Sequence, residues 1–517
     1  MDEQLQLKIV DLTPALRKQF YPALLLLVCL TGMHPYRRDG LGTAVDFTSG
    51  LETLFQGFVS KLAYLCCTEP GGSAVAACAV LQLPDRIQYV FGFNDQSNTA
   101  SADMKHRITT ILRFFRHPLP AVACEKAALH KRALLDVLSF NQGRVKAYLN
   151  SLKDHLQKCI AACQREDSIE ARSIQVGLTG ILERLRTCFG SIPGAGNGLV
   201  DALATFSLIE AISQLFRSDM FSLIGARLAR EEELKSSTYW SDCIHVAGRL
   251  LSYKQAVEMT LLVSYTWPQL FDDFEVRMIP SSSRISDALQ GPPLSAETIA
   301  RKMTSDARLL DRYAEQLQNL SPHNLNSDIK EAWLQNSKPI VHAEILVHHW
   351  LENTQGGIRP ERFFKRWKFI GSSKPPCKLC SYFFDEYPTD VQVRPSHQNV
   401  YFPWRMPDIY EHQGDEAIIT RTRVMGRIKT RICADIGRIL SERLADGRPH
   451  DSSAYTTFAA QQAADLSNNS SITRATTLEL DSLAISDEPT DAFSTNEEAA
   501  AFSTNEEVDA FSTNEEA

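Results

Sequence analysis

The chain predicts a mixed α/β fold in which helices far outnumber strands and a polar tail stands apart from the rest. Three observations carry this. Residues 74–83 (AVAACAVLQL) and 86–93 (RIQYVFGF) are β-prone runs separated by Pro84-Asp85, a turn signal. From about 101 to 335, apolar residues recur at helical spacing, as in ITTILRFF, HKRALLDVLSF and DALATFSLIEAISQLF. Between 338 and 410, helix and strand patterns alternate, as they do where strands and helices share one core.

Taken in order, residues 1–50 form an N-terminal helical segment. Its apolar run from Tyr21 to Leu30 is ten residues long, well short of the ~20 that span a bilayer. It follows the acidic Asp2 and Glu3 and lacks a convincing cleavage site, so it reads as a buried helix and not as a signal peptide or a membrane segment. Residues 51–67 have a helical apolar face, and Gly71-Gly72 breaks the pattern before the strand-turn-strand unit, which ends at Asn94. In the long helical text, GSIPGAGNG and SDALQGPPLS are loops. The glycine loop at 194–198 is a linker, because it follows a helix where a phosphate cradle would follow a strand. FEVRMI (274–279) is a strand candidate with no assigned place.

Residues 340–351 (IVHAEILVHHWL) predict a helix and 366–370 (RWKFI) a short strand. Pro375-Pro376 ends that strand and opens a second helix, CKLCSYFFDEY, since proline suits a helix's first turn. A strand (VQVR) and the aromatic run YFPW follow. Val424, Ile428, Ile432 and Ile436, four apart, predict a long amphipathic helix over 417–445 with a basic outer face. In the tail, AFSTNEE recurs at 492, 501 and 510, and a repeat so short and polar cannot bury a core, which predicts disorder over 451–517.

The formal charge of −8 is unevenly placed: residues 451–517 hold 14 acids and one base, leaving 1–450 at +5. The acidity therefore belongs to the tail and does not argue against an anionic ligand. Twelve cysteines, mostly single and at helical apolar positions, do not resemble a disulfide framework. An intracellular protein, cytoplasmic or nuclear, is expected.

The chemistry-bearing pattern is His342-Ala343-Glu344, then roughly thirty residues, then Pro376-Cys377-Lys378-Leu379-Cys380. A catalytic zinc takes three protein ligands from His nitrogen and Cys sulfur and keeps a fourth position open. H-x-E followed by P-C-x-x-C is the signature of zinc deaminases acting on nucleobases, with the glutamate moving protons. Cys377 and Cys380 share one face of a helix start, where the dipole favours thiolate. His342 and Glu344 both face the metal only if they lie at a helix's first turn. The expected ligands are therefore His342, Cys377 and Cys380 for Zn2+, with Glu344 as the catalytic acid/base. A redox reading of the C-x-x-C pair lacks a preceding βαβ unit, and VHAEILVHH contains no H-E-x-x-H. The bland alternative is a buried histidine and two core thiols.

From His342 to Pro407 the chain resembles the nucleic acid and nucleotide deaminase superfamily, specifically a deaminase-like family widespread in fungi. The words VHAEILVHHWLE, KFIGSSKPPCKLC and VRPSHQNVYFPWRMP carry the resemblance. It implies a three-layer cytidine-deaminase-like α/β/α core, beginning with a β-hairpin. No hairpin directly precedes His342. The expected arrangement is thus a core made of 51–94 and 336–450, divided by a large all-α insertion at 95–335. In similar enzymes an asparagine after the second strand contacts the substrate sugar, which makes Asn94 the candidate for that role.

His397, Tyr401 and Trp404 follow the second metal helix, where a base could stack on them, although core packing is the commoner fate of such rings. Seven bases between Arg359 and Lys378, against the single acid Glu361, could attract a phosphate backbone or form an ordinary solvated face. The expected partner is a nucleobase-containing substrate, free or in single-stranded nucleic acid, with the helical region and the tail left for protein partners. The rival reading is a catalytically inactive, zinc-stabilised interaction protein. Glu344 counts against it, because a structural site needs no carboxylate beside an open position.

Overall fold

The hairpin at 76–93 is apolar on both sides, and a strand of that kind needs cover on both of its faces. In the computed structural model it receives it. The structure describes residues 8–32, 50–116, 123–189, 200–233, 239–285, 288–320, 324–335 and 338–442. These lie within the first of two compact units, 1–463 and 464–517. The linker at 194–198 and the tail at 451–517 lie outside the described residues.

Strands β1 (Ala76–Gln82) and β2 (Ile87–Phe93) pair antiparallel, Ala76 opposite Phe93. With β3 (Phe274–Met278), β4 (Phe369–Ser372) and β5 (Gln392–Val393) they form a sheet in the order β3-β2-β1-β4-β5. Side chains alternate across it. Cys78, Val80, Tyr89 and Phe91 share one core with helix α2 (Leu51–Leu65), and Ala77, Ala79, Leu81 and Val90 face a second core on the other side.

The first core also receives α3 (Asn98–Phe114), α4 (Ala123–Phe140), α5 (Gln142–Cys163), α6 (Ile169–Thr187), α7 (Ala202–Phe216), α8 (Asp219–Glu233), α9 (Tyr239–Thr266) and the short α10 (Gln269–Asp272). The second is built from the buried α1 (Pro14–Gly32), α11 (Ala296–Arg301), α12 (Ala307–Leu320), α13 (Leu325–Gln335), α14 (Ala343–Glu352), α15 (Lys378–Glu386) and α16 (Gly414–Glu442). Val424, Ile428, Ile432 and Ile436 are completely buried, as their spacing predicts. Tyr21 to Leu27 are buried too, and among the described residues no helix is long and apolar enough to cross a membrane.

One expectation is corrected. Residues 95–335 are not all-α, because β3 joins the sheet parallel to β2, with Ile87 opposite Phe274 and Phe91 opposite Met278. A parallel pair needs a long crossover between its strands, and α3–α10 supply it. The segment is also shared between the two faces of the sheet, since α11–α13 pack on the side opposite α3–α10.

Helix α2 packs closely on the sheet at Gly371 in β4. A Cβ there would stand 2.6 Å from the backbone nitrogen of Ser60 and 2.7 Å from the carbonyl carbon of Val59 in α2. Gly371→Ala is therefore expected to push α2 off the sheet and cost about 1–3 kcal/mol, read as a lower apparent Tm in a thermal melt.

Candidate metal centre

Two helices begin at the same end of the hairpin, and their first residues meet. His342 is the N-cap of α14, with extended backbone (φ −69°, ψ 152°) and an imidazole that does not cap the helix. Another residue takes over that task. The Asn94 Oδ1, at the end of β2, accepts a 2.7 Å hydrogen bond from the Ala343 N–H, which would otherwise be an orphan donor of the first turn. Cys377 is the N-cap of α15, and its Sγ accepts from the Cys380 N–H at 3.5 Å.

His342 Nδ1 lies 3.5 Å from Cys377 Sγ and 3.3 Å from Cys380 Sγ, and the two sulfurs are 3.6 Å apart. Ordinary zinc bonds of ~2.3 Å to sulfur and ~2.0 Å to nitrogen, at tetrahedral angles, separate ligand atoms by about 3.6–3.8 Å. The three atoms therefore fit one face of a zinc tetrahedron. All three residues are buried, and they are the group of His, Cys, Asp or Glu side chains among the described residues that could hold an ion. The His342 Nε2–H donates to the Pro403 carbonyl at 3.2 Å, which fixes the tautomer that turns Nδ1 towards the sulfurs.

Glu344 stands beside this face, its Oε2 4.0 Å from Cys380 Sγ. Burial lifts its carboxyl above the ordinary range against the opposing pull of His342, and Ser372 favours the ionised form. Burial opposes ionisation of Cys377 as well, but hydrogen bonding from Cys380 and the charge of His342 outweigh it and hold this thiol well below its usual value. Cys380, buried next to that thiolate, is pushed well up. For His342, burial is outweighed by Cys377 and Glu344, so the protonated ring is favoured.

The structure brings His342, Glu344, Cys377 and Cys380 together, with Asn94 next to them. Asn94 is buried, and its Nδ2 donates to the Gly72 carbonyl at 2.8 Å, so its side chain holds the hairpin end and α14 in register. His397 and Tyr401 are half-buried, with rings edge to face at 5.8 Å. Their loop is bonded to the start of α15, through the His397 N–H to the Pro376 carbonyl and the Lys378 N–H to the Asn399 carbonyl.

Trp404 corrects an expectation. It has no exposed surface and stacks on Phe20 of α1 at 5.9 Å, so it has no face to offer a base. Its buried indole N–H lacks a conventional hydrogen-bond partner and favours the thiolate of Cys380. His348 is a packing residue among the rings of Phe383, Phe384 and Tyr387.

The basic run from Arg359 to Lys378 is largely engaged in the fold. Lys378 pairs with Asp435 at 2.8 Å, Arg366 with Glu361 at 2.7 Å, and Lys368 with Asp390. Arg362 donates to the Leu351 and Gly357 carbonyls at the end of α14. Sequence reasoning missed the Pro403 carbonyl, which leaves no trace in residue type, and the contribution of Ser372 to the surroundings of Glu344.

Residues 341–408 match the family model of an OTT_1508-like deaminase. No curated protein and no solved structure matches the chain.

Removing the Asn94 acceptor leaves the buried Ala343 N–H unpaired. Asn94→Ala is expected to cost about 1–3 kcal/mol in denaturant unfolding. Metal affinity is expected to fall about tenfold, measured by competition with a chelating dye. Asn94→Asp, which keeps the acceptor for Ala343 but loses the donor to the Gly72 carbonyl, should recover only part of both.

Proposed function

With a deaminase-family segment at 341–408 as the premise, we propose that the protein is a zinc-dependent hydrolytic deaminase that removes the exocyclic amine of a nucleobase, cytosine or adenine. The observation that carries this reading is the convergence of His342 Nδ1, Cys377 Sγ and Cys380 Sγ with the buried Glu344 carboxyl beside them. The same reading makes residues 51–94 and 336–450 the two parts of a cytidine-deaminase-like core, divided by 95–335. In support, the hairpin shares a sheet with β4, Ala77 opposite Ser372 and Cys78 opposite Gly371.

His342, Cys377 and Cys380 would hold the ion, and zinc bound there supplies a Lewis acid that lowers the pKa of water towards ~7. Glu344 accepts one proton from the attacking water and delivers it to the ring nitrogen, then accepts the second from the hydroxyl left on carbon and delivers it to the departing amine. A C–O bond replaces the C–N bond, and ammonia leaves. The raised proton affinity of the buried carboxyl suits a group that must both take and give a proton near neutral pH. Asn94 keeps α14 in place, and His397 and Tyr401 stand where a base or sugar would pass. The burial of Glu344 weighs against the inactive interaction-protein reading, since an ionisable carboxyl is costly to bury without a task.

The purified full chain is expected to carry about one equivalent of zinc, measured by elemental analysis, and to release ammonia from a cytosine- or adenine-containing nucleoside, nucleotide or single strand. Glu344→Ala should keep the metal and lose at least ~100-fold in rate. Cys380→Ala should lose both metal and activity. Equal turnover by wild type and Glu344→Ala would refute the role of the glutamate.

A further inference from the structure

On the flank of the metal centre, between α2, α9 and the segment after β5, lies a partly enclosed cavity of about 170 Å³. Lys61, Arg249 and Arg394 line it, and no carboxylate does. Tyr64, Ser252 and Ser373 add polar surface. The three bases come from three elements far apart in sequence, so their convergence is a property of the fold and not of a local basic run.

Each of these cations donates to a neutral group. Lys61 Nζ donates to Gln255 Oε1 at 3.1 Å, Arg249 donates to the Tyr148 hydroxyl at 2.9 and 3.1 Å, and Arg394 Nη1 donates to the Ser372 carbonyl at 3.1 Å. Two carboxylates act on the cluster from outside the cavity, Glu258 on Lys61 and Glu344 on Arg394, and Glu258 is shared with Lys254 at 4.0 Å. The cations also oppose one another. Burial, then Arg394 and Arg249, bring the Lys61 ammonium down to about 7, and burial with Arg249 brings Arg394 down to about 10. Three like charges around a small cavity are unfavourable unless an anion enters between them.

The cavity connects to the chemistry through one turn. Ser373 and Pro375 form part of its wall, and the same turn leads into Cys377. Ser372, whose carbonyl takes the Arg394 N–H, also acts on Glu344.

We propose that this cavity is an anion subsite that takes the phosphomonoester of a phosphorylated substrate whose base is presented to the metal centre. This rests on the deaminase reading and narrows its substrate class to a nucleotide or the phosphorylated end of a strand. Two guanidinium groups and an ammonium match the charge and the acceptor oxygens of a phosphate dianion. The cavity's size suits one phosphate group and not a length of polynucleotide backbone.

The test uses the zinc-loaded full chain and inorganic phosphate as the probe, with binding measured by calorimetry. Saturable, salt-weakened binding at one site is expected, with Lys61→Met and Arg394→Met each weakening it by about tenfold or more. Lys61→Arg and Arg394→Lys, which keep the charge, should retain binding and serve as controls for folding. A nucleoside 5′-monophosphate should compete with phosphate and its parent nucleoside should not. Competition by a 5′-phosphorylated oligonucleotide alone would identify a strand end as the source. Absence of phosphate binding by the folded wild type, or undiminished binding in both methionine variants, overturns the proposal. Ammonia release is followed in parallel. Phosphate binding without turnover of any base keeps the subsite and removes the deaminase reading. Turnover with equal KM for a nucleoside and its monophosphate keeps the reading and overturns the subsite.

Discussion

The hydrogen bond from the Ala343 N–H to Asn94 Oδ1 joins residues 249 positions apart and ties the start of α14 to the end of the hairpin. A second tie lies one strand over, where the Ser373 N–H donates to the Ala76 carbonyl at 2.9 Å and the Ala76 N–H donates to Ser373 Oγ at 3.1 Å. Ala76 pairs with Phe93, next to Asn94, so both ties fall at one end of one hairpin. From one tie the chain enters α14 with His342 and Glu344, and from the other it runs through Pro375-Pro376 to Cys377 and Cys380. The hairpin end is therefore the plate on which three ligand atoms are set within bonding distance of a common point. Because these donors and acceptors are buried, losing either tie leaves an unpaired polar group and displaces a ligand at the same time.

The crossover between β2 and β3 is accommodated because its ends are held together. The Gln96 N–H donates to Ser281 Oγ at 2.9 Å, and that hydroxyl donates to the Phe93 carbonyl at 2.9 Å. The ends of β2 and β3 are thus tied to each other where the crossover through α3–α10 starts and finishes. Loop closure grows only slowly in entropic cost with length, and helices α3–α10 bury apolar faces of their own in the core that α2 shares.

What could be read from sequence followed from how much each feature constrains residue type. The convergence of His342, Cys377 and Cys380 was legible because few residue types bind metals and the C-x-x-C spacing fixes a shared helix face. The run Val424 to Ile436 was legible because a four-residue repeat admits one buried face. β3 was seen as a strand but could not be placed, since five residues of mixed burial at a sheet edge carry no mark of their partner. Trp404 was misread because an aromatic side chain suits a core and a binding face equally well, and only the position of Phe20 on α1 decides between them. Asn94 was singled out as a sugar contact on the strength of the strand ahead of it, and the structure gives it bonds to Ala343 and Gly72. Its bond to Ala343 depends on a helix 249 residues away, which no local pattern encodes. The basic run from Arg359 to Lys378 could be read as a ligand surface or as a solvated face, because two acids that engage it, Asp390 and Asp435, stand further along the chain.

The distribution of charge around the site separates chemistry from recognition. The metal ligands and Glu344 all fall within the 341–408 segment, as does Arg394, but Lys61 and Arg249 do not. Arg249 belongs to α9, and its guanidinium lies 5.2 Å from the centre of the Tyr64 ring, which Arg144 of α5 approaches to 4.5 Å. The inserted helices thus buttress the aromatic floor of the cavity and supply one of its three cations. A helical segment that only covered α2 would have no reason to place a buried guanidinium at that boundary, where desolvation opposes it. Helices α5 and α9 therefore belong to the electrostatic environment of the cavity, and a chain that kept the His342, Cys377 and Cys380 cluster but differed in these helices would present a different charge beside it.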